Sequence, residues 1–170
     1  MELINAVNTL KIITALFSIV AGTAAGLYFS YRLKKREESL NELTRALQEM
    51  ALLIRYRTLP VNELFTELSR YEFIRNVGEV SKTDGTDFRR GWVTATDQLA
   101  ELENGERSII KSVGLSLGTS DVEGQLSMLE VNAKLLEKYG NEAREQYMKK
   151  GKLYRSFGVL AGIFIAILII

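Results

Sequence analysis

Several residue types that carry chemistry are missing from this sequence or nearly so. Its 170 residues include no cysteine and no histidine, and only one proline and one tryptophan. These absences exclude thiol nucleophiles, disulfides, thiolate zinc sites and imidazole base catalysis. No glycine-rich segment is followed by the Gly-Lys-Ser or Gly-Lys-Thr of a phosphate loop. The sequence therefore predicts a protein that is not an enzyme, with no catalytic, cofactor-binding or metal site and no small-molecule substrate.

Signals for β-strands are also scarce. Aromatic residues make up 9% of the chain, and apolar and polar residues show no sustained alternation. Apolar residues instead recur at steps of three and four, which is the pattern of a buried helix face. The predicted fold class is all-α: an antiparallel bundle of about six helices, flanked by N- and C-terminal transmembrane helices.

Turn-forming residues divide the central part of the chain into helices. A first bundle helix is predicted from Arg36 to Arg57, with the buried stripe Leu40, Leu43, Leu47, Met50 and Ile54. Pro60 suits the first turn of the second helix. Phe73, Ile74 and Val77 indicate a third short helix or a kinked continuation of the second. The segment from Ser81 to Thr86 is predicted as a loop, after which Asp87 is placed to cap a fourth helix. The predicted buried stripe of that helix consists of Phe88, Trp92, Ala95, Leu99 and Leu102. Asn104-Gly105 is predicted to end that fourth helix, and a fifth follows it.

The last third of the chain is predicted to form one long helix. Ser120 and Glu123 have the spacing of a capping box, with Ser120 as the capping residue. No proline interrupts the helix before the end of the chain. Its predicted buried stripe consists of Val122, Leu126, Leu129, Ala133, Leu136, Gly140, Ala143 and Tyr147.

Two uncharged apolar stretches predict membrane spans. Residues 12–31 contain no charge, which is enough to cross a hydrocarbon core of ~30 Å. A cleaved signal peptide is the alternative, but the positive charge follows this run and the run exceeds a usual signal h-region. The second stretch, Phe157–Ile170, continues the long helix. We expect a transmembrane segment with its basic collar over residues 1–35, a bundle over 36–150, and a second transmembrane segment over 151–170.

The net charge of +1 conceals an uneven distribution of charge. Between Glu37 and Met148 the chain has 13 basic and 20 acidic side chains, so its central part is acidic. We therefore expect no nucleic-acid partner, because such a partner requires neutralisation of its phosphates. Basic residues cluster beside the apolar ends. The predicted membrane-interface collar consists of Arg32, Lys34, Lys35, Arg36, Lys149, Lys150, Lys152 and Arg155.

Both parts of this collar lie on the side of the apolar segments that faces the middle of the chain. The positive-inside rule places that side in the cytoplasm. The bundle is thus predicted to face the cytoplasm, with both termini outside. Anchoring is one explanation of the collar, and recognition of anionic membrane lipids is another, worth about 1 kcal/mol per basic residue near the surface.

Each apolar end also contains a pair of glycines four residues apart. The pairs are Gly22 with Gly26 and Gly158 with Gly162. In lipid, small residues at this spacing let helix backbones approach closely. Both pairs lie at a similar distance from the nearest collar residue, which predicts that the two spans pack against each other or against a neighbouring protein through these glycines.

Several segments of the chain, taken in order, carry a resemblance to a known family. They are Tyr56 with Thr58-Leu59-Pro60, Trp92, the run Gly114–Asp121 with Gln125, Lys152-Leu153-Tyr154, and Gly158–Gly162. They resemble the stage III sporulation protein AB family over nearly the whole chain. The most specific part is a turn motif made of Leu117, Gly118, Ser120, Asp121 and Gln125.

The resemblance implies a source, a place and partners. It implies an endospore-forming bacterium and the mother-cell membrane around the forespore. The soluble part of the family is similar to the cytoplasmic helical domains of type II secretion and type IV pilus platform proteins. The implied partners are an ATPase similar to stage III sporulation protein AA and other membrane proteins of the same complex.

The resulting hypothesis is a non-enzymatic platform in a sporulation complex that couples a cytoplasmic ATPase to a secretion-like channel. The alternative is a membrane-anchored spacer or lipid-binding scaffold with no motor partner. An enzyme that uses carboxylates alone is a further alternative, although the sequence places no pair of acids within an apolar stretch.

Overall fold

The computed structural model describes residues 2–57, 61–84 and 87–169, with side chains described over 8–57, 63–82 and 87–169. About 90% of the chain is helical, and the described residues form no strand. The predicted all-α fold class is confirmed. The helices are α1 (Glu2–Arg57), α2 (Val61–Glu67), α3 (Glu72–Asp84), α4 (Phe88–Gln98), α5 (Asn104–Ser116) and α6 (Val122–Ile169).

The chain divides into two compact units. Unit 1 combines the residues up to Lys35 with those from Ala143 onward, and unit 2 runs from Arg36 to Glu142. The first boundary coincides with the predicted end of the N-terminal segment at residue 35. The second boundary falls before the predicted residue 151, so the last turns of the expected bundle belong to unit 1.

Unit 2 is a helical bundle built on the predicted apolar stripes. Helix α2 packs on α3, α3 on α4, and α4 on α5, while α1 faces α6 where Gly140 lies beside Asn41. Val122 departs from its predicted stripe and is 45% exposed, since it is the first residue of α6. The buried members of the stripes on α1 and α6 are Leu40, Leu43, Leu47, Met50, Ile54, Leu126, Leu129, Ala133, Leu136, Gly140 and, within unit 1, Ala143.

Two predicted helix ends are wrong. Ser81 to Asp84, expected as a loop, form the last turn of α3, and there the Ser81 hydroxyl donates to the Val77 carbonyl at 2.8 Å. Asn104-Gly105, expected to end the fourth helix, begins α5 instead. The stronger local signal is the reciprocal capping box of Glu103 and Glu106.

The start of α6 is also capped differently from the prediction. The Asp121 carboxylate, not the Ser120 hydroxyl, accepts a hydrogen bond from the Gly124 N–H at 3.2 Å. Asp121 precedes the first helical residue, so Gly124 is the third residue of the helix and offers one of the unpaired N–H groups of a helix start. Asp87 is the N-cap residue of α4 as predicted, although its side chain makes no capping hydrogen bond.

Unit 1 consists of the first part of α1 and the last part of α6, which run antiparallel. Each helix contains an eighteen-residue stretch of mean hydropathy 1.9 or 1.8, so each is long and apolar enough to cross a membrane. Large apolar side chains such as Phe17, Phe157 and Leu168 are more than 60% exposed. Three segments named in the sequence analysis, Thr58-Leu59-Pro60, Gly85-Thr86 and the chain end at Ile170, lie outside the described residues.

Candidate functional site

The four predicted packing glycines meet within unit 1. A Cβ atom added at Gly22 would lie 2.6 Å from the Gly158 carbonyl oxygen and 2.9 Å from the Gly162 Cα. One added at Gly26 would lie 2.5 Å from the Tyr154 carbonyl oxygen. Real Cβ atoms do not approach so closely, so only glycine permits this contact between the two backbones. That the contact operates inside a membrane stays a prediction.

The helix contact continues beyond the glycines towards the collar. The Ser30 side chain lies against Gly151, where an added Cβ would be 3.3 Å from the Ser30 Oγ. The rings of Phe29 and Tyr154 lie with centroids 5.7 Å apart. These aromatic and small residues extend the pairing of α1 with α6 over several helical turns, in the register that the glycines set.

Most of the predicted basic collar lies on exposed surface of unit 1. Arg32, Lys34, Lys149, Lys150, Lys152 and Arg155 are exposed, and Lys35 is half-buried. The Lys149 ammonium donates a hydrogen bond to the Glu145 carboxylate, and this bond lowers the pKa of that carboxyl group. The role of these residues at a membrane interface stays a prediction.

Arg36 does not belong with the exposed collar. Its side chain is buried in unit 2, where Nε and Nη2 donate to Glu106 Oε1 at 3.0 and 2.7 Å. Nη1 lies 2.6 Å from a carboxylate oxygen of Glu103. A buried guanidinium requires such paired, charge-assisted bonds because desolvation would otherwise disfavour it. The positive charge of Arg36 is therefore paired with carboxylates inside the bundle and is not exposed at the surface.

The carboxylates around the turn before α5 include a buried structural group. Glu106 is 1% exposed and also accepts a hydrogen bond from the Glu103 backbone N–H at 2.7 Å. The neighbouring Glu101 accepts a bond from the Ser39 hydroxyl at 2.5 Å. This acidic cluster therefore holds the start of α5 against α1. The only sequence signal for it is the Glu103-Glu106 capping pattern, because Arg36 lies 70 residues earlier.

The turn motif singled out in the sequence forms the connection between α5 and α6. Leu117 is fully buried, and Gly118 follows with φ 77°, a left-handed conformation that favours glycine. The Gln125 side chain spans the turn, accepting from the Gly118 N–H at 3.2 Å and donating to the Ser120 carbonyl at 2.9 Å. Together with the Asp121 cap, these contacts bring all five motif residues into one connection.

Trp92 is a core residue, as its place on the apolar stripe indicates. It is fully buried, and its indole N–H donates to the Ile110 carbonyl at 2.7 Å. The Phe73 ring meets it edge to face, with centroids 4.9 Å apart. The indole also lies directly over Gly114, where an added Cβ would overlap it. Two of the segments that carry the sequence resemblance are therefore a packed pair.

The acidic side chains of the described residues form no candidate metal site. Across residues 2–57, 61–84 and 87–169, no group of three acidic side chains is arranged to hold a metal ion. The clearest acidic cluster, at the start of α5, is engaged by Arg36 and Ser39. The features that the geometry does assemble are contacts between helices.

These features define an all-α protein with a helical bundle, unit 2. Its first and last helices, α1 and α6, continue into unit 1, where each is long and apolar enough to cross a membrane. The chain belongs to the Stage III sporulation protein AB family, whose family model matches residues 11–170. It is 24% identical to the Stage III sporulation protein AB of Bacillus subtilis (strain 168), over 94% of this chain and 99% of that protein. No solved structure matches the chain. The family that the sequence resembles is thereby confirmed.

Proposed function

We propose that this chain is a non-enzymatic, membrane-anchored platform of a sporulation complex in the mother-cell membrane around the forespore. Unit 2 faces the cytoplasm and couples an ATPase similar to stage III sporulation protein AA to a secretion-like channel. The observation that carries the proposal is family membership over residues 11–170, in a chain whose first and last helices could both cross a membrane.

The surface of unit 1 supports the membrane-anchored part of the proposal. Its helices present large apolar side chains outward, such as Phe17 at 72% and Leu168 at 71% exposure. In water such a surface would be costly, whereas in lipid it meets a matching environment. The two helices pack against each other through glycines, on the side away from these apolar residues. Close backbone contact of this kind supplies the van der Waals attraction that drives helix association in lipid.

The use of charged groups in unit 2 supports assembly over catalysis. An enzyme built on carboxylates needs acids with shifted pKa values that face a cleft. The buried carboxylate of Glu106 is instead saturated by Arg36 and by the Glu103 backbone. Its bonds hold helices in place and leave it no free position towards a substrate.

Affinity purification from sporulating cells tests the proposal. The full-length chain, tagged at its N-terminus in the native host, should co-purify the ATPase together with membrane proteins of the same complex. A matched strain that carries Gly26→Leu should lose the membrane partners while unit 2 stays folded. Ala25→Leu, which introduces the same side chain at the adjacent exposed position, should retain them. Purification of the wild-type chain without any ATPase would contradict the coupling role.

A lipid-binding scaffold is the second candidate, and the exposed collar favours it. Lys149, Lys150, Lys152 and Arg155 lie close together in sequence on one exposed helical segment. Such clusters attract anionic lipids. Full-length chain in nanodiscs with and without anionic lipid distinguishes the two candidates. A scaffold should enrich anionic lipid around itself and recruit no ATPase, whereas a platform should recruit the ATPase in both lipid compositions.

A further inference from the structure

A groove on the surface of unit 2 has no role in the contacts described so far. It lies between α1 and α6 and has a volume of about 370 Å³. Ala51 and Ala133 form its floor, and both are buried. Because alanine has the shortest apolar side chain, alanines at these two positions leave a hollow between the helices that larger residues would fill. The walls are formed by Leu52 and by the side chains of Gln48, Arg55, Glu130 and Lys134.

Large apolar side chains extend along one side of this groove. Leu52 is 51% exposed, and Tyr56, one helical turn further along the same face of α1, is 76% exposed. The leucines on the preceding turns of α1, Leu43 and Leu47, are buried in the bundle core. An apolar strip beside an open groove is the usual form of a surface that binds an amphipathic helix.

The charge of the groove differs from that of the chain around it. Arg55 pairs with Glu130 at 2.7 Å across the groove. Lys134 is exposed and makes no hydrogen bond or ion pair among the residues described. The groove thus has one excess positive charge, although the segment from Glu37 to Met148 has 20 acidic and 13 basic side chains. This local reversal of sign favours an acidic partner.

We propose that this groove binds an amphipathic helix of a partner protein, whose apolar stripe packs on Leu52, Ala51 and Ala133 and whose acidic residue pairs with Lys134. The apolar side chains of such a helix fill the hollow over the alanines. Its carboxylate replaces water around the Lys134 ammonium. The proposal goes beyond the proposed function, since it concerns a separate surface and holds for any cytoplasmic partner of this chemistry.

A second copy of the chain and the membrane surface fit the groove less well. In a symmetric dimer the same patch meets itself, so each positively charged groove would face another. Anionic lipid would match the charge of Lys134. A membrane surface, however, has no discrete side chain to enter the hollow above Ala51 and Ala133. A helix satisfies both features at once.

Peptide binding to the full-length chain in nanodiscs of zwitterionic lipid tests the proposal. The probe is a fluorescent synthetic helix of about five turns, with leucines on one face and glutamates beside them. A matched probe has lysine in place of each glutamate. We expect the acidic probe to bind roughly tenfold or more tightly than the basic one, because only the acidic probe complements Lys134.

Variants locate the binding to this groove. Leu52→Glu should weaken binding of the acidic probe roughly tenfold or more, because it removes apolar contact and adds a repelling charge. Lys134→Glu should weaken it roughly two- to fivefold, as expected for an exposed ion pair. Leu115→Glu is the matched control, since Leu115 on α5 is equally exposed at 53%, and it should leave binding unchanged.

Three results would overturn the proposal. Equal binding of the acidic and basic probes would remove the charge argument, and an unchanged affinity in Leu52→Glu would place the binding elsewhere. A dimer of the wild-type chain that Leu52→Glu abolishes would assign the groove to a second copy. Trp92 fluorescence confirms that each variant is folded. Since no ATPase is present in this experiment, its failure would leave the proposed platform function standing.

Discussion

Arg36 and Glu106 form a buried ion pair between α1 and α5, with the guanidinium Nη2 2.7 Å from the carboxylate oxygen Oε1. Neither side chain is more than 7% exposed. The pair is part of a larger set of bonds, since Glu106 also accepts from the Glu103 backbone N–H and closes the capping box of α5. One carboxylate therefore fixes both the start of a helix and its position against α1.

Removing one member of this pair should destabilise unit 2 strongly. Arg36→Met leaves the Glu106 carboxylate buried without its guanidinium, a situation that costs about 3–5 kcal/mol. Urea unfolding of the full-length chain in detergent, followed by the fluorescence of the single tryptophan, measures the change. The double variant Arg36→Met with Glu106→Leu should recover most of the loss, because no uncompensated charge remains.

The exposed pair of Arg55 with Glu130 provides the control for that measurement. Both of its side chains are about half exposed, so Arg55→Met should cost less than about 1 kcal/mol. If Arg36→Met proves as mild as Arg55→Met, the buried pair does not hold α5 in place, and the packing of the core carries this part of the fold.

Enlarging the packing glycines should separate the two helices of unit 1. At Gly26 and Gly158 an added side chain meets backbone atoms at 2.5 Å, so Gly26→Leu and Gly158→Leu should each disrupt the contact. Spin labels on the exposed Phe17 and Phe164 positions report the separation of the helices by pulsed electron resonance. Ala25→Leu and Ala161→Leu, at exposed neighbouring positions, should leave the distance distribution unchanged.

The α5–α6 turn should depend on glycine at one position and on an amide at another. Gly118 has φ 77°, so Gly118→Ala should cost about 1–2 kcal/mol. Gln125→Ala loses both hydrogen bonds that span the turn and should destabilise the chain in the same direction. Ser127→Ala, at an exposed position on the next turn, should have no comparable effect. Thermal unfolding of the three variants decides the matter.

Alkaline pH should reduce the stability of unit 2 partly through Tyr71. Burial, followed by the hydrogen bond that its hydroxyl donates to Glu49 at 2.8 Å, raises the pKa of Tyr71 above its ordinary value near 10. The folded chain thus holds this proton more tightly than the unfolded chain. The resulting stabilisation is complete below pH 10 and is lost as the pH rises towards the raised pKa.

Thermal unfolding at pH 8 and at pH 10.5 measures this contribution. We expect Tyr71→Phe to show a smaller loss of melting temperature between the two pH values than the wild-type chain. Tyr56→Phe serves as the control, because Tyr56 is 76% exposed and makes no hydrogen bond among the described residues. An identical pH dependence in all three chains would refute the proposed role of Tyr71.

The orientation in the membrane is predicted from the exposed collar and is directly measurable. The chain has no native cysteine, so a single introduced cysteine gives a specific readout. With the chain produced in the plasma membrane of vegetative cells, an impermeant thiol reagent should label Asn8→Cys in intact cells and Glu137→Cys only after lysis. Both positions are exposed. Labelling of Glu137→Cys in intact cells would reverse the predicted orientation.

The helical stripes could be predicted from the sequence because they depend on local periodicity. Every stripe residue from Leu40 to Ile54 is buried as expected, since spacing alone places these residues on one face. The last turn of α3 and the start of α5 could not be predicted in the same way. Asn104-Gly105 is typical of a helix end, but the capping bonds of Glu103 and Glu106 prevail over that tendency.

Contacts between residues far apart in the sequence could not be predicted from local sequence patterns. Arg36 follows Lys35 directly and carries the same charge, so nothing local distinguishes the half-buried residue from the buried one. The separation arises only when α5 brings Glu106 beside α1. The glycine contact could be predicted, because the four-residue spacing within each pair is a local pattern. Only the register between the two pairs had to be taken from the structure.

The atoms that face each tightly packed glycine determine whether a second mutation can compensate for a substitution of that glycine. At Gly114 an added methyl group meets the ring of Trp92, and a smaller side chain at position 92 restores the space. At Gly22 and Gly158 it meets main-chain atoms, which every amino acid possesses, so no substitution at the facing position restores it. Lineages of this protein therefore have a compensatory route through the bundle core, and none through the glycine contact of the paired helices.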